Sequence, residues 1–245
     1  MNRTKIPWAT HVWNPIEGCS AISEGCQNCY AESFAHRFHR HWGSPQFRPE
    51  KLSEPTNTRK PARVFVCSTS DFFHDCADID WEDSAGRVMF NNPRHTFMLL
   101  TKRPRNVRPW IHRMMDNKLW PMPNVWLGIS AENQARYDER WPEIERLPFP
   151  VLFVSVEPML GPVTTRCHAR RPDWVIAGPE TGARARLCCE SWVKNLAREC
   201  ITFFDKRDEW KRREYPTPVG IVGLSANAGG QVQPAVRRPD SGGDK

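Results

Sequence analysis

The sequence has no run that approaches the ~20 apolar residues of a membrane-spanning helix. Its first residues, MNRTKIPWAT, also lack the apolar core of a secretory signal peptide. We therefore expect a soluble protein in the cytoplasm. The nine cysteines form an odd number, and in a reducing compartment a tight cysteine cluster indicates a metal or redox site rather than a disulfide framework.

The cysteine cluster itself lacks a fourth member. Cys19, Cys26 and Cys29 form a C-x6-C-x2-C run, which we call the cysteine loop (residues 19–29). Four thiolates would complete a structural zinc site or a fully ligated iron–sulfur cluster, whereas three leave one coordination position open. Two alternatives stay open, namely zinc with His36 or His11 as the fourth ligand, and three cysteines that merely pack in the core. The other six cysteines are most simply small buried hydrophobes, and the alternative is that some of them form a second metal site.

Short apolar runs alternate with stretches of helical character along most of the 245 residues. The runs RVFVCSTSD, HTFMLLTKR, NVWLGISAEN, PVLFVSVEP, DWVIAGPETG and CITFFDK indicate strands. The alternation predicts an α/β fold, either a full or partial barrel of six to seven parallel strands or a doubly wound open sheet. We expect one domain over residues 1–215. Residues 216–245 are rich in Gly, Ala, Pro and Ser without periodicity, which predicts a disordered tail.

Polar residues recur where the predicted strands end. In either fold, ligands bind beyond the carboxyl ends of the strands, so these residues are candidates for a functional site, although some of the serines could act only as helix caps. The strand-end candidates are Ser68, Ser70, Asp71, Lys102, Ser130, Glu132, Asn133, Glu157 and Glu180.

Glu157, Glu180 and Lys102 are the candidate catalytic residues among them. Carboxylates at nearly buried strand ends need a partner, so the alternative is that both glutamates only fix loop geometry, through backbone donors or through Lys102, Arg103 or Arg184. Beyond the cysteine loop, Tyr30, Phe34 and Phe38 share one helical face, which predicts packing of that helix against the body of the protein.

The charge of the chain favours contact with an anionic partner. The formal net charge is +7 and the pI is about 9.1, so a nucleic-acid or nucleotide substrate is plausible. Acidic residues are interleaved with the basic ones, however, and a mixed solvated surface explains such runs equally well.

Six blocks, from HVWNPIEGCSAISEGCQNCYAE to DWVIAGPETG, together resemble a phage-associated family of unknown function with a three-cysteine motif, similar to radical S-adenosylmethionine (SAM) enzymes. The resemblance covers about residues 7–205. Here the cysteine spacing differs from the usual C-x3-C-x2-C, and Lys206 stands one position later than the lysine that follows the family's last strand.

The resemblance implies a radical-SAM-like enzyme. Cys19, Cys26 and Cys29 would bind three irons of a [4Fe–4S] cluster, and SAM would occupy the fourth iron. SAM would be cleaved by one electron to methionine and a 5′-deoxyadenosyl radical, which requires an electron donor and suggests a three-Cys-motif partner protein. The strand-end residues nearest the cysteine loop would contact SAM, namely Ser68, Ser70, Asp71, Ser130, Glu132 and Asn133. The alternative function is a zinc- or cluster-braced accessory protein of a phage or mobile element that binds nucleic acid.

Overall fold

The structure is a computed structural model that describes residues 1–206 and 212–217. Of the tail predicted over residues 216–245, residues 218–245 lie outside the described residues. None of the helices in the described part of the chain is long and apolar enough to span a membrane.

A central sheet of eight strands organises the described residues, and its strand order follows the order of the chain. The first strand pairs antiparallel with the second, and the remaining pairs are all parallel. Each of the six runs quoted above forms one of these strands. The strands of this sheet are β1 (Asn2–Arg3), β2 (His11–Trp13), β5 (Arg63–Val66), β6 (Thr96–Thr101), β7 (Val125–Ser130), β8 (Leu152–Val156), β9 (Trp174–Ala177) and β10 (Phe203–Asp205). A separate small sheet pairs β3 (Ile16–Glu17) with β4 (Gln46–Phe47).

Six α-helices lie between the strands in the described residues. Two of them begin at acidic or amide caps, because Asp78 and Asn133 each accept a backbone N–H from the first turn. The helices are α1 (Tyr30–Arg37), α2 (Glu54–Asn57), α3 (Ile79–Phe90), α4 (Val107–Asp116), α5 (Gln134–Ile144) and α6 (Glu190–Glu199).

The two faces of the sheet bury different clusters. Alternate strand residues pack with buried residues of α3, α4, α5 and α6 to form the main core. The intervening strand residues form a second, strongly aromatic cluster on the opposite face, to which none of these helices contributes a buried residue within the described chain. The members of that second cluster include Trp8, Phe65, Trp126, Phe153, Trp174 and Phe204.

The predicted closed barrel is not formed among the described residues, since β1 and β10 are edge strands without mutual pairing. One edge is occupied by the short antiparallel β1, and Phe204 of β10 bridges Arg213 at the other edge. The doubly wound alternative is also not found, because the strand order does not reverse and helices α3–α6 share one face. The molecule is an α/β protein with an open, mostly parallel sheet.

Candidate metal centre at the carboxyl edge of the sheet

The cysteine loop follows β2 and the short strand β3, and it lies against the loop that follows β5. Gly18, just before it, donates its N–H to the carbonyl of Thr69 at 3.0 Å, and Ser70 Oγ donates to the carbonyl of Gly18 at 2.5 Å. Gly18 has φ +88°, and a Cβ there would collide with the carbonyl oxygen of Ser44. Only glycine therefore fits this entry to the loop.

Asp71 joins the loops after β5 and β6. One carboxylate oxygen accepts the hydroxyl of Thr101 at 2.7 Å and the N–H of Phe73 at 3.1 Å. The other accepts the N–H of Lys102 at 2.9 Å and Arg103 Nη1 at 3.3 Å. Asp71 is buried and engaged by four donors, so a contact from it to SAM, which stays a prediction, would have to share one of these bonds.

Arg103 connects this carboxylate to the first cysteine. Its Nη1 also lies 3.9 Å from Cys19 Sγ, and its Nη2 donates to both the carbonyl and the hydroxyl of Ser20 at 3.1 Å. Ser20 in turn bonds His74 Nε2 at 2.8 Å. Burial, with the nearby Asp71 carboxylate, raises the pKa of the Cys19 thiol to about 11.

The middle of the cysteine loop is seated on Glu132, which follows β7 and is fully buried. Glu132 accepts the N–H of Gly25 at 3.2 Å and Arg140 Nη1 at 2.9 Å. Lys102 Nζ lies next to this same part of the cysteine loop and donates to Cys26 Sγ at 3.3 Å. Burial opposes ionisation of Cys26, but the Lys102 ammonium and backbone donors lower the pKa of this thiol overall.

Glu24, in the loop itself, is held by the start of α5. Asn133 Nδ2 donates to one of its oxygens at 2.6 Å, and Arg136 donates to the other through Nε and Nη2 at 3.1 and 3.0 Å. These bonds, chiefly those from Arg136, lower the pKa of Glu24 to about 2. Asn133 therefore both caps α5 and holds the cysteine loop.

Glu180, after β9, holds the last part of the loop. It accepts Asn28 Nδ2 at 2.9 Å, and it accepts the N–H, Nε and Nη2 of Arg186 at 2.9, 2.9 and 2.5 Å. Arg186 Nη1 also donates to the carbonyl of Glu24 at 3.0 Å. The hydrogen bond from Arg186 is the main reason that the pKa of Glu180 falls to about 2.

The remaining candidates lie on the same edge of the sheet. Glu157 forms an ion pair with Lys206, which follows β10. Ser68 donates its hydroxyl to Asn14 at 3.1 Å. Ser130 ends β7 as a buried residue, and its carbonyl accepts Arg140. Their assignment to SAM or substrate stays a prediction.

The three sulfur atoms do not all lie within 4.8 Å of one another. On a tetrahedral zinc ion, thiolate sulfurs would lie about 3.8 Å apart, so the three sulfur atoms are not arranged as they would be on a single zinc ion. The two histidines considered as a fourth zinc ligand are engaged elsewhere, since His36 faces Glu32 on α1 and His11 contacts Thr10. All three cysteines are half-buried free thiols.

Helix α1 packs differently from the prediction. Its buried residues are Ala31 and Ala35, whereas Phe34 and Phe38 are 41% and 52% exposed. Tyr30 is also exposed, although its hydroxyl donates to the carbonyl of Ser68 at 2.5 Å. The alanines and the aromatic residues have the same i, i+4 spacing, so periodicity alone could not tell which stripe faces inward.

Sequence reasoning named Arg103 as a possible partner of a strand-end glutamate, whereas it pairs with Asp71, and it missed the other three arginines of the centre. Arg103, Arg136, Arg140 and Arg186 each bind a carboxylate on the carboxyl edge or in the loop. The available signal was the requirement that buried carboxylates be paired, but the sequence does not show which of many arginines supplies each partner.

The fold and this centre define a class of α/β protein in which a three-cysteine loop is seated on the carboxyl edge of an open parallel sheet. The chain belongs to the family described as protein of unknown function (DUF5131), whose model matches residues 3–232. No curated protein and no solved structure matches the chain.

Proposed function

We propose that the chain is a radical-SAM-like iron–sulfur enzyme in which Cys19, Cys26 and Cys29 hold a [4Fe–4S] cluster, and that its open sheet is a partial barrel of that kind. The observation that supports the proposal is the placement of three half-buried thiols in one loop on the carboxyl edge, with Lys102 at Cys26 and Arg103 at Cys19. When bound, such a cluster supplies single electrons at low potential, which is the chemistry that reductive cleavage of SAM requires.

The surroundings of the thiols support a charged cluster. Lys102 donates to Cys26 and Arg103 approaches Cys19, so two cations lie beside thiols that must be deprotonated to bind iron. Hydrogen bonds to cluster sulfurs raise the reduction potential. Lys102 is therefore proposed to tune and hold the centre, and Asp71 to hold Arg103 in place.

Of the two candidate glutamates, Glu157 makes fewer hydrogen bonds to the protein within the described residues. Its only hydrogen bond there comes from Lys206, whereas Glu180 accepts four. We propose that Glu157, with Lys206, binds SAM or substrate and that Glu180 positions the cysteine loop.

Anaerobic reconstitution with iron and sulfide, reduction with dithionite and detection of 5′-deoxyadenosine test the enzyme proposal. We expect 5′-deoxyadenosine from the wild type and from Cys76→Ala, an exposed cysteine outside the loop, but not from Cys26→Ala. Glu157→Gln should keep the cluster and lower the yield of 5′-deoxyadenosine. Absence of SAM cleavage by a wild type that carries a full cluster contradicts the proposal.

A specific surface favours nucleic acid as the substrate or partner. Phe34 on α1 and Phe38 directly after it are exposed, and Arg40 and Arg37 lie over their rings at 5.4 and 5.7 Å, respectively. Exposed aromatic rings stack on unpaired bases, and arginines contact the phosphates. Because α1 starts directly after Cys29, a strand bound here would lie beside the centre.

Fluorescence anisotropy with a labelled single-stranded oligonucleotide tests this surface. The double variant Phe34→Ala/Phe38→Ala should bind more weakly by about 2–6 kcal/mol, with the thermal midpoint unchanged. The pair Ile79→Ala/Phe90→Ala, exposed on α3, is the matched control and should bind as the wild type does. Equal affinity of all three proteins would exclude the α1 surface, and salt-sensitive binding without any SAM cleavage would favour the accessory-protein function.

A further inference from the structure

A second group of metal-ligating side chains lies away from the cysteine loop, between α5 and the segment that follows β8. The ligand atoms of Asp138, Cys167 and His168 all lie within 4.8 Å of one another, and no other three His, Cys, Asp or Glu residues in the described chain are gathered so closely. His168 Nε2 is 2.8 Å from Asp138 Oδ1, and Cys167 Sγ is 3.3 Å from the same oxygen.

We propose that Asp138, Cys167 and His168 form a zinc site with three protein ligands and one position left for water. One sulfur, one nitrogen and one oxygen donor are the ligand types that Zn²⁺ takes in tetrahedral sites. Sulfur, nitrogen and oxygen donors on one ion lie about 3.3–3.8 Å apart. The two distances to Asp138 Oδ1, 2.8 and 3.3 Å, therefore need changes of only about half an ångström, and the sulfur and nitrogen ligand atoms lie within 4.8 Å of each other.

The surroundings hold the three donors together. Gln134 Nε2, one turn before Asp138 on α5, donates to Asp138 Oδ1 at 2.9 Å and lies 3.3 Å from Cys167 Sγ. Its Oε1 accepts the N–H of Thr164 at 2.8 Å, which ties the segment carrying Cys167 to the helix. The ring of His168 packs edge-on against buried Tyr137 at 5.2 Å. These contacts fix the position of the segment that carries Cys167 and His168 relative to α5 without a bound ion.

Two hydrogen bonds hold the three ligand atoms together when no metal is bound. Asp138 Oδ1 accepts from both the thiol of Cys167 and His168 Nε2. A zinc ion would take the place of these hydrogen bonds, with the thiol proton released and the imidazole proton carried on Nδ1. Because zinc binding releases the thiol proton, binding should strengthen as pH rises.

Equilibrium dialysis of the full chain against Zn²⁺, followed by metal analysis, tests the site. The Cys167→Ser and His168→Gln variants should each retain one Zn²⁺ fewer than the wild type, and Cys76→Ser should retain the same number. Gln134→Ala should weaken zinc binding by roughly tenfold to a hundredfold, as loss of a group that orients ligands does. Co²⁺ should give a sulfur-to-metal charge-transfer band that Cys167→Ser loses.

The cysteine loop also offers thiols, so the same measurements are made on the Cys19→Ala/Cys26→Ala/Cys29→Ala variant. The cobalt band that depends on Cys167 should persist there, which separates this site from the proposed cluster. Equal zinc content and an equal cobalt band in the wild type, Cys167→Ser and His168→Gln would overturn the proposal. These residues are half-buried or exposed, and circular dichroism of each variant confirms that it is folded.

Discussion

Gly25 has almost no free space around its Cα. A Cβ there would lie 2.8 Å from Glu132 Cδ and 3.1 Å from Lys102 Nζ, while the N–H of Gly25 bonds the same carboxylate. The residue between two cysteines of the motif is thus glycine because the loop approaches a buried ion pair closely.

Gly25→Ala should push the loop away from this carboxylate and destabilise the protein by about 1–3 kcal/mol, the usual cost of overpacking. We also expect lower metal content after reconstitution. Gly161→Ala is the control, since its Cβ would meet only Asn133 Cβ, at an ordinary 3.5 Å. Urea denaturation and iron analysis measure both effects, and wild-type values for Gly25→Ala would show that the loop is not seated as described.

Glu180 gives a pH-dependent prediction. Its pKa is about 2 in the folded protein, against 4.5 for the free side chain, and the bonds from Arg186 are the main cause. A carboxyl group with a lowered folded-state pKa stabilises the fold above its unfolded pKa, and that stabilisation is lost as the pH falls from about 4.5 towards 2.

Glu180→Gln should therefore cost about 1.5–3 kcal/mol at pH 6, where the charged hydrogen bonds are present, and much less near pH 2.5. Denaturant unfolding at the two pH values measures the difference. Glu190→Gln, an exposed residue paired with Lys194 on α6, is the control and should cost less than about 1 kcal/mol at both. A cost for Glu180→Gln that is the same at both pH values would contradict the role given to the carboxylate.

At the level of elements, the loops after β5 and β6 act as one unit because Asp71 and Arg103 join them. Both side chains are almost fully buried, so removal of one charge leaves the other without its partner. Asp75 also bonds Arg103, but its side chain is 41% exposed.

Asp71→Asn should destabilise the protein by about 3–5 kcal/mol, as expected when a buried ion pair loses one partner. Asp75→Asn should cost about 1 kcal/mol or less. Thermal or denaturant unfolding of both variants provides the comparison. Equal, small effects would mean that the two loops are held by other contacts.

The elements themselves were predictable where local pattern decides them. The runs around β5–β10 are short, rich in branched and aromatic residues and bounded by turn residues, and each forms a strand of the parallel sheet. Helix α1 shows the limit, since Ala31 and Ala35 face the protein while Phe34 and Phe38 face outward. Which stripe of a helix is buried depends on the space left by distant elements, which the local pattern does not show.

For the whole molecule, the parallel α/β architecture followed from the alternation of strands and helices, but closure of the sheet did not. Closure depends on whether the first and last strands meet, and both are short here, with β1 antiparallel and β10 bridged by Arg213. The strand-end position of Asp71, Glu132 and Glu180 followed from the same pattern. Their arginine and loop partners did not, because those contacts join residues far apart in the chain.

The central claim for the whole molecule is that the cysteine loop holds an iron–sulfur cluster. Anaerobic purification followed by iron, zinc and sulfide analysis with visible spectroscopy tests it most directly. We predict about four iron and four sulfide per chain, with a broad visible absorption, in the wild type and in Cys76→Ala, and loss of all three signals in Cys19→Ala/Cys26→Ala/Cys29→Ala. Zinc without sulfide at the cysteine loop, or iron and sulfide that survive in the triple variant, would contradict the account.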